Sequence, residues 1–197
     1  MQKKPFKPKD FMMNYALYLI MLLIVIIIAC ISPKFISLRV IRDILTQSST
    51  KMLVALGCMF IIVSGSADLS GGRVVGLAAV VSGSLAQQAA YANKFWPGMG
   101  ELPVIVPILA SVLVGLLVGA CNGYAVAKLK VPAFLATLGM QMIAYGVNCL
   151  YFNKAPNNSQ PLGGYKESFG NLGTGSIAGI PILVMIALAL CAVVWII

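Results

Sequence analysis

The residues best suited to chemistry sit in one short stretch, 64–73, where Ser64, Gly65, Ser66, Asp68, Ser70, Gly71, Gly72 and Arg73 interrupt apolar sequence on both sides. A carboxylate at the centre of a membrane helix costs about 2.5–3.5 kcal/mol on insertion scales, so Asp68 must gain something in return. Two readings are open. In one, a helix is broken here, Asp68 or Ser70 caps its second half, Gly71 and Gly72 leave backbone N–H groups free, and the exposed dipole end faces a path for a polar solute. In the other, the stretch is a cytoplasmic turn in which Asp68 caps a helix and Arg73 anchors it among headgroups. The glycines do not form a Walker phosphate loop, because no Gly-Lys-Ser/Thr follows.

Enzymatic chemistry has little to work with. Histidine is absent, and only five carboxylates are present, none paired in sequence. No nucleophile and base can be matched, so no catalytic residue is assigned. The five cysteines lie inside apolar segments without Cys-x-x-Cys or Cys/His spacing, which leaves no metal site and marks them as small packing residues. Ile27-Ile28-Ala29-Cys30 loosely matches a lipoprotein cleavage box, but the apolar run before it is too long for a signal core and reads as a retained anchor.

The elements that must position Asp68 follow from composition. Of 197 residues, 60% are apolar and 10% charged, with a formal charge of +9, and the mean hydropathy is +0.95. Soluble domains carry about a quarter charged residues, so this is a membrane protein. Its 14 basic residues are scattered at the ends of apolar runs, which is a topology signal and not a nucleic-acid surface.

A crossing needs about 20 apolar residues. Residues 11–31, 103–127, 133–152 and 177–197 each supply one, and 52–90 supplies two short helices separated by the break. A separate amphipathic piece at 37–47 is expected to lie at the interface. The fold class is therefore all-α, a polytopic transmembrane helical bundle of about six crossings, organised as a single transmembrane domain over 1–197. With the Lys-rich start inside, parity makes 1–10 a cytoplasmic tail and 128–132 a cytoplasmic turn. The Gly-, Pro- and Asn-rich stretch 153–176 becomes an external aqueous loop. The run 177–197 ends without an interfacial anchor, and the chain is accordingly expected to be incomplete at its C-terminus.

Other polar residues within the spans are candidates for the same path. Thr137, Gln141 and Asn148 share one stripe of a helix and could line it or bond a neighbour. Asn122 could contact a solute or join two helices. Ser111, Gly115, Gly119 and Gly123 recur every four residues, a ridge of small side chains that permits close helix packing. Phe95, Trp96, Tyr151, Phe152 and Trp195 suit interfacial belts.

The blocks Val54-Ala55-Leu56-Gly57, Ile61-Ile62-Val63-Ser64-Gly65 and Ala67-Asp68-Leu69-Ser70-Gly71-Gly72-Arg73 strongly resemble the signature region of the ribose/xylose/galactose-type permeases of bacterial ABC importers. Gly119-Ala120-Cys121-Asn122-Gly123, Val131-Pro132-Ala133-Phe134-Leu135-Ala136-Thr137-Leu138-Gly139-Met140 and Tyr145-Gly146-Val147-Asn148 extend the match. Gly76-Leu77-Ala78-Ala79 after Arg73, together with Asn93-Lys94-Phe95, point to the galactoside branch. The resemblance implies a permease subunit in the bacterial inner membrane that imports a monosaccharide, galactose or a methyl-galactoside. It further implies a second permease copy, a cytoplasmic ABC ATPase that uses the ATP, a periplasmic or lipid-anchored sugar-binding protein, and no cofactor on this chain. Such permeases continue for several more helices, so the chain resembles an N-terminal portion. The rival readings are a non-transporting membrane scaffold, an inactive truncated permease and an intramembrane enzyme.

Overall fold

The computed structural model describes residues 8–32, 35–177 and 179–196, with side chains from Tyr15 onward. Most of the expected cytoplasmic tail, the Pro33-Lys34 stop and the terminal Ile197 lie outside the described residues. The chain divides into two compact units, residues 1–45 and 46–197.

The first unit contains α1 (Pro8–Ile31) and the opening turns of α2 (Leu38–Val63). The expected separate amphipathic piece at 37–47 is not separate. No Gly or Pro occurs between Leu38 and Gly57, and the polar Thr50 hydroxyl bonds back to the Thr46 carbonyl at 3.2 Å, so the helix runs on unbroken.

The second unit holds the rest of α2, then α3 (Gly71–Leu85), α4 (Ile105–Ala127) and α5 (Ala133–Phe152). Helix α3 packs chiefly on α4 and next on α5, and α4 packs on α5. The short 128–132 turn makes α4 and α5 antiparallel neighbours. Helices α2, α4 and α5 are long and apolar enough to cross a membrane, while Tyr15–Ile31, α3 and α7 (Ile182–Ile196) are shorter apolar helices.

The second apolar stretch ends earlier than expected, at Leu85 and not at residue 90. The 153–176 loop is also more structured than its composition indicates. It contains α6 (Glu167–Thr174), whose start is braced by the Tyr165–Phe169 ring contact at 6.0 Å and favoured by Glu167 at the positive end of the helix. Nor is 177–197 helical throughout, because β1 (Ser176–Ile177) and β2 (Ile180–Pro181) form an antiparallel pair around Gly179 before α7 begins.

Candidate functional site

The break is built by two local motifs placed in series. Helix α2 ends in a Schellman arrangement, in which Gly65 takes a left-handed φ of 74°, its N–H reaches the Ile62 carbonyl at 2.9 Å, and the Ser66 N–H reaches the Ile61 carbonyl at 3.2 Å. The Ser64 hydroxyl also donates to the Ile61 carbonyl at 2.6 Å. These bonds satisfy carbonyls at the helix end that would otherwise lack a partner.

Asp68 then starts the next helix. Its Oδ1 accepts the Ser70 N–H at 2.7 Å and the Ser70 hydroxyl at 2.6 Å. Ser70 occupies the N-cap position but makes no side-chain cap bond, and its carbonyl accepts Arg73 N–H and Val74 N–H, both at 3.0 Å. The capping expected of Asp68 or Ser70 thus takes the form of an Asx turn just ahead of the helix.

Ser70 is 1% exposed and Asn122 8% exposed. The Asn122 Nδ2 donates to the Ser70 Oγ at 3.0 Å, giving a directed chain from α4 through Ser70 to the Asp68 carboxylate. The Asn122 Oδ1 is buried without a hydrogen-bond partner. Two cavities share Asp68, Asn122 and Gly119 on their walls. The larger, about 480 Å³, also exposes Gly57, Ser70 and Gly115. The smaller, about 410 Å³, is bounded by Ser66, Ala133 and Thr137.

Position along the bundle can be read from helix lengths. Asn122 lies five residues before the α4 end at Ala127, about 8 Å along the axis. Helix α3 has 15 residues, about 22 Å of rise, against a hydrocarbon core of about 30 Å. The break lies at the end of α3 away from Leu85, on the side of the 128–132 turn.

The remaining candidates divide. Thr137 is buried on the smaller cavity, although its hydroxyl turns back to the Ala133 carbonyl at 2.9 Å. Asn148 sits eleven residues further along α5, about 16 Å away, and its buried Oδ1 has no partner. It does not join the break. Gly71 and Gly72 open the first turn of α3, and no neighbour stands within 4 Å of a Cβ placed at either. The same holds for Gly115, Gly119 and Gly123, whose ridge meets open space. Ser111 donates to the Ile108 carbonyl at 2.7 Å. The Arg73 guanidinium lies over the Tyr145 ring on α5, 4.4 Å from the centroid.

At the opposite end, a cap of loops escaped the sequence reading. Gln87 accepts the Phe95 N–H at 2.7 Å and donates to the Gly163 carbonyl at 3.0 Å. The Gln88 N–H meets the Gly164 carbonyl at 2.8 Å, and the Lys166 N–H meets the Ala86 carbonyl at 3.0 Å. The Lys166–Glu101 ion pair spans 3.6 Å. The Ser84 and Tyr151 hydroxyls lie 2.8 Å apart, and the Phe95 and Tyr151 rings stack at 4.9 Å. Burial pushes the Tyr165 phenol above its ordinary pKa, with a smaller contribution from Tyr91.

Among known proteins, the family model described as branched-chain amino acid transport system / permease component matches residues 40–197. The chain belongs to that permease family. The galactose/methyl galactoside import permease protein of Haemophilus influenzae is 37% identical over 169 residues, covering 86% of this chain and 50% of the relative. The corresponding permease of Salmonella typhimurium is 39% identical over 162 residues, covering 82% and 48%. The ribose import permease protein of Haemophilus influenzae is 30% identical over 188 residues, covering 94% and 53%. The chain thus spans about half the length of the curated relatives it matches. No solved structure matches it. The whole break, from Ser64 to Arg73, and the Asn122 that bonds to it fall inside the matched permease region.

Proposed function

We propose that this chain supplies part of the translocation path of a permease subunit in an ATP-driven monosaccharide importer of the bacterial inner membrane, with galactose or a methyl-galactoside as cargo. The observation that carries the reading is the Asp68–Ser70–Asn122 hydrogen-bond chain, set at a helix break and opening on cavities inside the spans. Carboxylate and amide oxygens accept hydroxyl protons, which suits a solute rich in hydroxyl groups. Permeases at 37–39% identity are named for galactose and methyl galactoside, which supports this cargo.

The work is conformational and not chemical. The path forms with a second permease copy, a cytoplasmic ABC ATPase uses ATP to drive alternating access, and an external binding protein delivers the sugar. No cofactor is needed on this chain. In this arrangement 1–10 and the 128–132 turn face the cytoplasm and 153–176 faces outward.

The test is a chimera in which residues 1–197 replace the matching half of a galactoside permease, expressed with its ATPase and binding protein in a strain lacking its own. Methyl-galactoside uptake is expected. Asp68→Leu should abolish it, and Asp68→Asn, which can still accept the Ser70 N–H, should retain a measurable fraction. Undiminished uptake by the Leu variant at equal protein level would sink the assignment of the break to the path. Binding-protein-stimulated ATPase activity in vesicles separates this reading from a scaffold role.

A further inference from the structure

Lys94 is the most deeply buried cation among the described residues, at 6% exposure. Its ammonium donates to the Met99 carbonyl and, at 3.3 Å, to the Gly100 carbonyl. An ammonium has three donors, so one remains. No carboxylate among the described residues pairs with it: Glu101, seven residues on, pairs with Lys166 instead. A buried charge without a counter-charge is costly, and carbonyl dipoles offset only part of that cost.

Lys94 also lines a cavity of about 390 Å³ between the 92–97 and 156–160 segments. The other polar walls are the amides of Asn93, Asn157 and Gln160. Asn157, 4% exposed, is fixed by donating to the Phe152 carbonyl at 2.9 Å. Lys94 and three amide-bearing residues thus line the cavity, and no acidic residue does.

Its height is set by α5. The span ends at Phe152, and Pro156 and Asn157 follow four and five residues later. Beside them, Lys154 stands 4.6 Å from the Trp96 ring centroid and Trp96 lies 6.4 Å from the Tyr151 ring. Aromatic and basic side chains so grouped at a span end mark the headgroup layer. Anions at that level are lipid phosphates.

We infer that this cavity holds the phosphate of an anionic phospholipid, with the Lys94 ammonium as its counter-charge and the Asn93 and Gln160 amides at its rim. The inference is independent of which sugar the protein carries. It makes the loop cap a lipid-filled joint, closed on one side by the protein and on the other by a bilayer component.

Native mass spectrometry of the 197-residue protein in detergent tests this with three probes: phosphatidylglycerol, phosphatidylcholine and inorganic phosphate. The wild type should retain phosphatidylglycerol over phosphatidylcholine. Lys94→Gln keeps an amide donor for the Met99 and Gly100 carbonyls but removes the charge, and should lower retention by at least about fivefold. Lys94→Arg should restore most of it, and Lys128→Gln, in the distant turn, should leave it unchanged. Helical circular dichroism checks each fold, and Asn93→Ala at the exposed rim, expected to lower retention about twofold, keeps the test open should Lys94→Gln fail to fold. Equal retention by wild type, Lys94→Gln and Asn93→Ala would overturn the site, making Lys94 a loop clamp alone. A Lys94-dependent signal from inorganic phosphate with none from phosphatidylglycerol would overturn the lipid as its occupant.

Discussion

The helix break and the loop cap occupy opposite ends of the same three helices and are held together in opposite ways. At the break, α3 is joined to its neighbours by one amide–hydroxyl bond, Asn122 to Ser70, and one cation–ring contact, Arg73 over Tyr145. Around these lie two cavities and five glycines, Gly71, Gly72, Gly115, Gly119 and Gly123, with open space where a side chain would project. At the cap, residues 86–101 and 162–166 are laced by backbone bonds, both ends of the Gln87 amide, an ion pair and stacked rings. Soluble proteins usually keep their slack in loops and their rigidity in the core. Here the loops are tied and the slack lies between the helices, which is where the proposed alternating access would need movement.

The same substitution made in both regions should expose that contrast most strongly. Gly164 has a φ of +64°, and the Tyr91 ring occupies the position its Cβ would take. Gly164→Ala should destabilise the protein by about 3 kcal/mol in denaturation from mixed micelles, from strain and overpacking together. Gly119→Ala, with nothing within 4 Å, should be neutral or stabilising by up to about 1 kcal/mol through helix propensity. Equal losses at both sites would show that the ridge is as closely packed as the cap.

A double-mutant cycle sharpens the comparison at the break itself. Ser70→Ala and Asn122→Ala, alone and together, should yield a coupling near 0.6 kcal/mol, the usual size of an interhelical hydrogen bond in a membrane protein. Zero coupling would mean that Asn122 and Ser70 meet without holding α3 to α4.

The smallest effect concerns pH at the cap. The folded Tyr165 pKa lies above its unfolded value near 10.0. The folded state therefore retains the phenol proton longer, and the stabilisation it provides is full below pH 10 and falls as pH rises through the folded pKa. Tyr165→Phe should flatten the alkaline loss of thermal stability relative to wild type. An unchanged alkaline slope would place the loss elsewhere.

The break could be read from sequence because its signals are local: Gly65 after an apolar run ends a helix, and Asp68 two residues before Ser70 begins one. Asn122 was legible as a polar residue in a span, though nothing local indicates that it meets Ser70, 52 residues earlier. The cap was hidden because its partners, such as Gln87 and Gly163, lie 76 residues apart in stretches without periodicity. Helix α6 was obscured by Gly170 and Gly173, which lower its intrinsic propensity. The continuity of α2 through 38–47 was missed because amphipathic patterning indicates where a helix face lies, not where the helix ends.

The shortness of α3 has a consequence for how the protein is made. A 15-residue segment led in by Asp68 and Ser70 offers too little apolar length to partition into lipid by itself. The 26-residue α2 ahead of it has length to spare. Helix α3 packs on α4 and α5 and is bonded to α4 through Ser70 and Asn122, so its place depends on the helices that follow it in the chain. On this account α3 settles only once α4 and α5 have arrived to receive it.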